Sequence, residues 1–197
     1  MDEQRLIPVT GTAKEKLPAN RVEISVSATG EADAYVKAVN ASDSLADGAV
    51  DALKAAGIEN VRAAGVNVTV VRDGKKVTGY RATRKLTVEF EYEKTLLAKV
   101  LDALGKSKCE WRVAFALKND EMRQTLVARA VTEAKQSAEV IAKAAGVKLG
   151  SLVKAEYVST GGGHAVMRMA AVYGADNAAD PEEITLSETV TCSWEIK

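Results

Sequence analysis

Histidine is nearly absent: the chain of 197 residues has one, His164, together with two cysteines, three prolines and 5% aromatic residues. A single imidazole set among glycines is a poor general base, and no histidine cluster is available for a metal. Cys109 and Cys192 lack the C-x-x-C spacing of a zinc or redox motif. Each falls on the apolar phase of a strand, which reads as two buried free thiols rather than a disulfide or a reactive pair. Net charge is missing as well, with 27 Lys and Arg against 27 Asp and Glu. No basic run interleaves with aromatics, which argues against nucleic acid as a partner. No apolar stretch reaches the roughly 18 residues of a membrane-spanning helix, so no transmembrane segment is expected. The start, Met1-Asp2-Glu3-Gln4-Arg5, lacks the basic-then-apolar order of a secretory leader. A mature domain from which a leader has been removed reads the same way, so both periplasmic and cytoplasmic locations stay open.

What is present is periodicity. Asn119 to Gly146 reads as one long helix, with Val127, Val131, Ala134, Ala138, Ile141 and Ala145 on one stripe. Asn119 supplies a cap, Asp120 and Glu121 complement the first turn, and Gly146 supplies the left-handed stop. Ala32 to Ala56 is a second long helix, with Tyr35, Val39, Ser42, Leu45, Ala49, Leu53 and Ala56 on its face. It ends at Gly57 and is capped from a turn at Thr29-Gly30. Glu93 to Leu104 is a shorter helix. Both long stripes are rich in alanine, so whatever they cover must approach closely.

Alternation marks strands at Arg21 to Thr29, Val77 to Tyr92, Cys109 to Leu117 and Glu183 to Ile196. Val61 to Val71 and Leu149 to Val158 are further expected strands, with a short strand at Ile7 to Thr12 before the break at Pro18. Asp73-Gly74 between two extended runs is a hairpin signal. In the last strand Ile184, Leu186, Val190, Cys192, Trp194 and Ile196 share one side, and threonines and serines the other. Phe90, Trp111, Phe115 and Trp194 should supply most of the core energy.

Leu53-Lys54-Ala55-Ala56-Gly57-Ile58 echoes Ala142-Lys143-Ala144-Ala145-Gly146-Val147. The same offset carries the strand at Val26 onto Phe115 and the strand at Val68 onto Tyr157. The expected fold is α+β: one domain over 1–197, with a mixed, mostly antiparallel sheet covered by two long helices and one short one. Its two β-α-β-β units would be an internal repeat, 20–92 and 109–197. Ser159 to Pro181 is irregular and reads as a long mobile loop, 159–182, with a short strand around Val166 to Ala170.

Candidate chemistry is thin. Gly161-Gly162-Gly163 lacks the Lys-Ser/Thr of a phosphate loop and reads as linker. Tyr80 and Arg81 follow Gly79 and could meet an acidic ligand, against the plainer reading of an exposed edge arginine beside a packed tyrosine. Carboxylates fall on wet faces. His164, Met167 and Met169 gather the soft donors of a Cu(I) site, against the plainer reading of methionines as apolar contacts between subunits. No catalytic residue and no cofactor is expected.

Ala130-Val131-Thr132-Glu133-Ala134-Lys135-Gln136-Ser137-Ala138-Glu139 through Ala144-Ala145-Gly146-Val147-Lys148-Leu149-Gly150 resembles the most recognisable segment of the SIMPL-domain proteins. Gly79-Tyr80-Arg81-Ala82-Thr83, Ala55-Ala56-Gly57-Ile58, Met167-Arg168-Met169-Ala170 and the closing Trp194-Glu195-Ile196 match in order and spacing. Arg84 stands where a small polar residue is the family's pattern. The family includes bacterial oxidative-stress-defence proteins and an outer-membrane antigen. The resemblance implies a non-enzymatic cell-envelope or periplasmic protein of unknown biochemical role that works as a homo-oligomer. The alternative is a periplasmic protein binding a small ligand or a metal.

Overall fold

The computed structural model describes residues 5–157, 165–168 and 183–197, the second of these as backbone only. The chain is α+β, as its alternating and helical periods require. Its strands are β1 (Leu6–Pro18), β2 (Arg21–Ala32), β3 (Val61–Asp73), β4 (Lys76–Glu91), β5 (Glu110–Leu117), β6 (Leu149–Tyr157), β7 (Ala165–Arg168) and β8 (Glu183–Ile196). Its helices are α1 (Tyr35–Ala55), α2 (Lys94–Gly105) and α3 (Asp120–Ala144). The strands do not share one mixed sheet. They form a five-stranded sheet, β3-β4-β2-β5-β7, and a three-stranded one, β1-β8-β6. The chain divides accordingly into two compact units.

Of the described residues, the first unit comprises 19–116 and 166–168. β2 lies between β4 and β5 and is antiparallel to both, with Val22, Ile24, Val26 and Ala28 fully buried beneath α1. The polar phase, Glu23, Ser25, Ser27 and Thr29, faces away from them, the division that the alternation dictates. Gly30 is not in a turn. It lies inside β2, where an added Cβ would sit 2.5 Å from the Ser42 nitrogen and 2.7 Å from the Ala38 oxygen. α1 starts without a side-chain cap.

Of the described residues, the second unit comprises 5–18, 117–157, 165 and 183–197. β1 is 13 residues long, against the short strand expected. It pairs antiparallel with β8 from Leu6↔Glu195 to Pro18↔Glu183. A mid-strand lysine pair and a terminal proline hid its length, because an edge strand tolerates both. The internal echo therefore resolves differently from the expectation. The orders β3-β4-β2 and β6-β8-β1 correspond, but the strand preceding α3, β5, hydrogen-bonds β2, and β1 takes the equivalent place beside β8.

α3 starts and ends as expected. The Met122 N–H donates to the Asn119 side chain at 2.9 Å, Asp120 and Glu121 occupy the first turn, and Gly146 has φ +71°. Its buried stripe is different: Leu126, Ala130, Ala134, Ala138 and Ala142, with Val140 68% and Ile141 45% exposed. The reason is steric. A Cβ on Gly11 of β1 would lie 2.0 Å from the Ala130 carbonyl oxygen and 2.7 Å from the Ala134 nitrogen. At that approach only alanine fits between backbones, so side-chain size rather than hydrophobicity selects the inward face. The same selection on α1 buries Ala38, Ser42, Ala46, Ala49 and Leu53, leaving Tyr35 52% exposed.

Candidate functional site

The most constrained polar group of the second unit is Glu188. It lies on the apolar phase of β8, between Leu186 and Val190, and is 3% exposed. A carboxylate there is costly unless every lone pair is answered. Arg123, from the start of α3, donates from Nε to Oε1 at 2.7 Å, and the Tyr157 hydroxyl, at the end of β6, donates to Oε2 at 2.9 Å. One carboxylate thus ties a helix to two strands. The hydrogen bond to Glu188 raises the Arg123 guanidinium above its already high ordinary value. The arrangement is a clasp that holds α3 to β6 and β8.

A second internal pair belongs to the first unit. Arg84, on the helix-covered face of β4, donates to Asp43 of α1 from Nε at 2.8 Å and from Nη2 at 2.7 Å. The departure from the small polar residue of the family pattern is thus matched by a carboxylate on the covering helix. On the opposite face Arg81 is held by Glu31 at 2.6 Å. Arg81 is exposed, yet β4 is an interior strand, so the arginine is not at an edge. Tyr80 packs edge-on against Tyr35, with centroids 6.1 Å apart.

The metal candidates do not assemble into a described site. His164 and Met169 lie outside the described residues, as does the glycine run 161–163, and Met167 is described only as backbone of β7. Among the described residues no three His, Cys, Asp or Glu gather to hold a metal. Cys109 and Cys192 are free and buried. Burial pushes both thiols up, and Cys109 Sγ lies 3.6 Å from the Leu45 carbonyl oxygen. A shallow depression of about 380 Å³ runs along α3 over Thr125, Ala128, Arg129, Thr132, Glu133 and Gln136. All of its lining comes from one convex helix, and Arg129 and Glu133 already serve β1, through Glu15 at 2.7 Å and the Thr12 N–H at 2.6 Å. No described helix is long and apolar enough to cross a membrane.

Sequence reasoning passed over Glu188, although a signal was there: a glutamate at the one polar place in the series Ile184, Leu186, Glu188, Val190, Cys192, Trp194. A charge on the buried phase of a strand calls for a partner, and Arg123 is the residue one turn into the longest helix. No curated protein matches the chain. The family model described as "SIMPL: Protein of unknown function (DUF541)" matches residues 7–194, nearly the whole length over which both sheets are built, and the chain belongs to that family.

Proposed function

We propose that this protein is a non-enzymatic component of the bacterial cell envelope that works as a homo-oligomer in defence against oxidative stress. What the resemblance to SIMPL-domain proteins implies supports the envelope and stress parts of this reading. The observation that carries the oligomer is β3. It is a 13-residue strand at the edge of its sheet, half-buried at four positions and exposed at the rest, with Val70 46% exposed and Val77 on the adjoining strand 42% exposed. An apolar strand edge of this length is a template for another strand. The polar groups described above hold helix to sheet and are arranged as structural pairs.

Static light scattering over about 1–100 μM, a range that brackets ordinary reversible association, tests assembly directly. A mass above one chain is expected, and a constant single-chain mass would refute the reading. Fractionation of cells producing the full-length gene product should place it in the envelope fraction, and recovery with cytosolic markers would remove that part. A deletion strain should be more sensitive to peroxide and regain resistance on complementation.

A further inference from the structure

The sheet edges are finished differently. β1 is covered through the Thr12 N–H bonded to Glu133, and it carries Pro8, Lys14, Lys16 and Pro18. β6 breaks register with β8 twice and bears the Lys154–Glu156 ion pair at 2.6 Å. Those are devices that discourage edge pairing. β3 between its two irregularities has none of them: Val66-Asn67-Val68-Thr69-Val70-Val71 holds no charge and no proline, and four of the six are valine. α1 packs chiefly over β2 and β4 and meets β3 far less.

We infer that Val66–Val71 pairs antiparallel with the same run of a second copy of this chain, about a two-fold axis at Val68. The inference rests on the homo-oligomeric reading above and supplies its surface. A two-fold axis normal to the sheet keeps each side chain on its own face, so opposed residues must share a phase. With the axis at Val68, Val66 meets Val70 of the second copy and Val68 meets itself. Each row continues into apolar or packed neighbours, Tyr80 beside Val70 and Ala82 beside Val68. Ala64 and Gly65 form a bulge, since Ala63 pairs with Leu86 and Val66 with Arg84, so the two occupy one place in the count. Beyond it Arg62 faces Asp73 of the second copy, and by symmetry the pair occurs twice. Neighbouring registers lose this match. An axis at Asn67 sets Arg62 against Val71 and leaves Asp73 beyond the strand, and an axis at Thr69 sets Arg62 against Lys75 and Val66 against Arg72. All three registers keep the hydrophobic phase, and the Arg62–Asp73 match selects the one centred on Val68.

Three variants of the full chain test this, each checked by circular dichroism and thermal midpoint to be folded. Val68→Lys places two ammonium groups at the axis and should raise the dissociation constant at least about a hundredfold. Asp73→Arg should raise it about tenfold, and the double variant Arg62→Asp/Asp73→Arg should restore it, since opposed charges are exchanged rather than removed. A nitroxide on Thr69→Cys gives an independent readout. A rise of ~3.4 Å per residue and a strand spacing of ~4.8 Å bring the two Cα atoms within about 8 Å, so dipolar broadening should appear in the oligomer and vanish on dilution. Cys109 and Cys192, being buried, remain unlabelled. An oligomer that keeps its affinity in Val68→Lys and shows no broadening overturns the β3 interface while leaving the homo-oligomer standing, with β6 the next edge to examine. A wild-type chain that is monomeric throughout overturns both.

Discussion

Glu188 allows the sharpest quantitative prediction, because the three groups of the clasp are unequally buried. Its carboxylate is 3% exposed, and the Arg123 side chain is 18% exposed. Removing Arg123 strands a negative charge that water scarcely reaches, with the Tyr157 hydroxyl as the remaining partner described. Removing Glu188 leaves a guanidinium that can recover part of its hydration. Arg123→Ala should therefore cost about 3–5 kcal/mol, the range for breaking a buried pair from one side, and Glu188→Ala less, about 2–3 kcal/mol. Glu188→Gln is milder still. Its carbonyl can accept from Arg123 and its amide can donate to the Tyr157 oxygen, while the displaced Tyr157 O–H, on a residue 44% exposed, turns to water, so the change removes charge without burying an unpaired donor and should cost about 1–2 kcal/mol. The double change Arg123→Met/Glu188→Leu takes away both charges and fills the space, and should be closer to wild type than Arg123→Ala alone. Urea unfolding followed by far-ultraviolet circular dichroism measures each value. An Arg123→Ala cost below about 1 kcal/mol, or Glu188→Ala the costlier of the two single truncations, would refute the account, because a surface-like pair behaves in that way.

Three further outcomes follow from the packing. Gly11→Ala and Gly30→Ala each drive a methyl into helix backbone and should each cost about 1–3 kcal/mol or more, whereas Gly48→Ala, with open space at its Cβ, should stabilise slightly; equal urea midpoints for all three would contradict the close approach. Asn119→Ala removes the cap of α3 and should cost about 1 kcal/mol, while Asn119→Asp should cost almost nothing, read in the same denaturation series. Burial raises the Cys109 and Cys192 thiols, so both are neutral at pH 7. The folded-state preference for the neutral form is fully present below the ordinary thiol value of about 8.5 and is lost as pH rises through the raised value, so stability should fall on the alkaline side; reaction of both thiols with a disulfide reagent at pH 8 before unfolding would show the burial to be wrong.

Most of the element order was legible because it rests on local chemistry. β8 begins and ends at the expected residues, and the Asn119 cap and the Gly146 stop act as their types dictate. Partition of the strands between two sheets was not legible, because pairing depends on register between segments far apart in sequence. Phe115 and Trp194 read alike as buried strand residues, yet β5 and β8 belong to different sheets. The helix faces were misread for a related reason. Hydropathy ranks Val131 and Ile141 above Ala130 and Ala142, but Gly11 is distant in sequence and decides which of them fits. Trp111, expected in the core, is half-buried, while Phe90, Phe115 and Trp194 are buried as expected. Arg84 and Glu188 are charges on buried phases, and such apparent mistakes in an alternating pattern were the best available pointers to the ion pairs.

The antiparallel match of β1 with β8 bears on how the chain reaches this structure. Leu6–Pro18 is made first and Glu183–Ile196 last, yet they lie side by side over the full length of both. The five-stranded sheet draws four of its five strands, β2, β3, β4 and β5, from one continuous stretch, so most of its partners are present midway through synthesis. The three-stranded sheet has no central strand until β8 emerges. Loop closure across nearly the whole chain is slow relative to local pairing, so β1 and the alanine face of α3 wait as unsatisfied surfaces while the other unit forms. Late closure keeps this unit open for the interval between the making of β1 and that of β8. The last strand then acts as the latch that ends that interval.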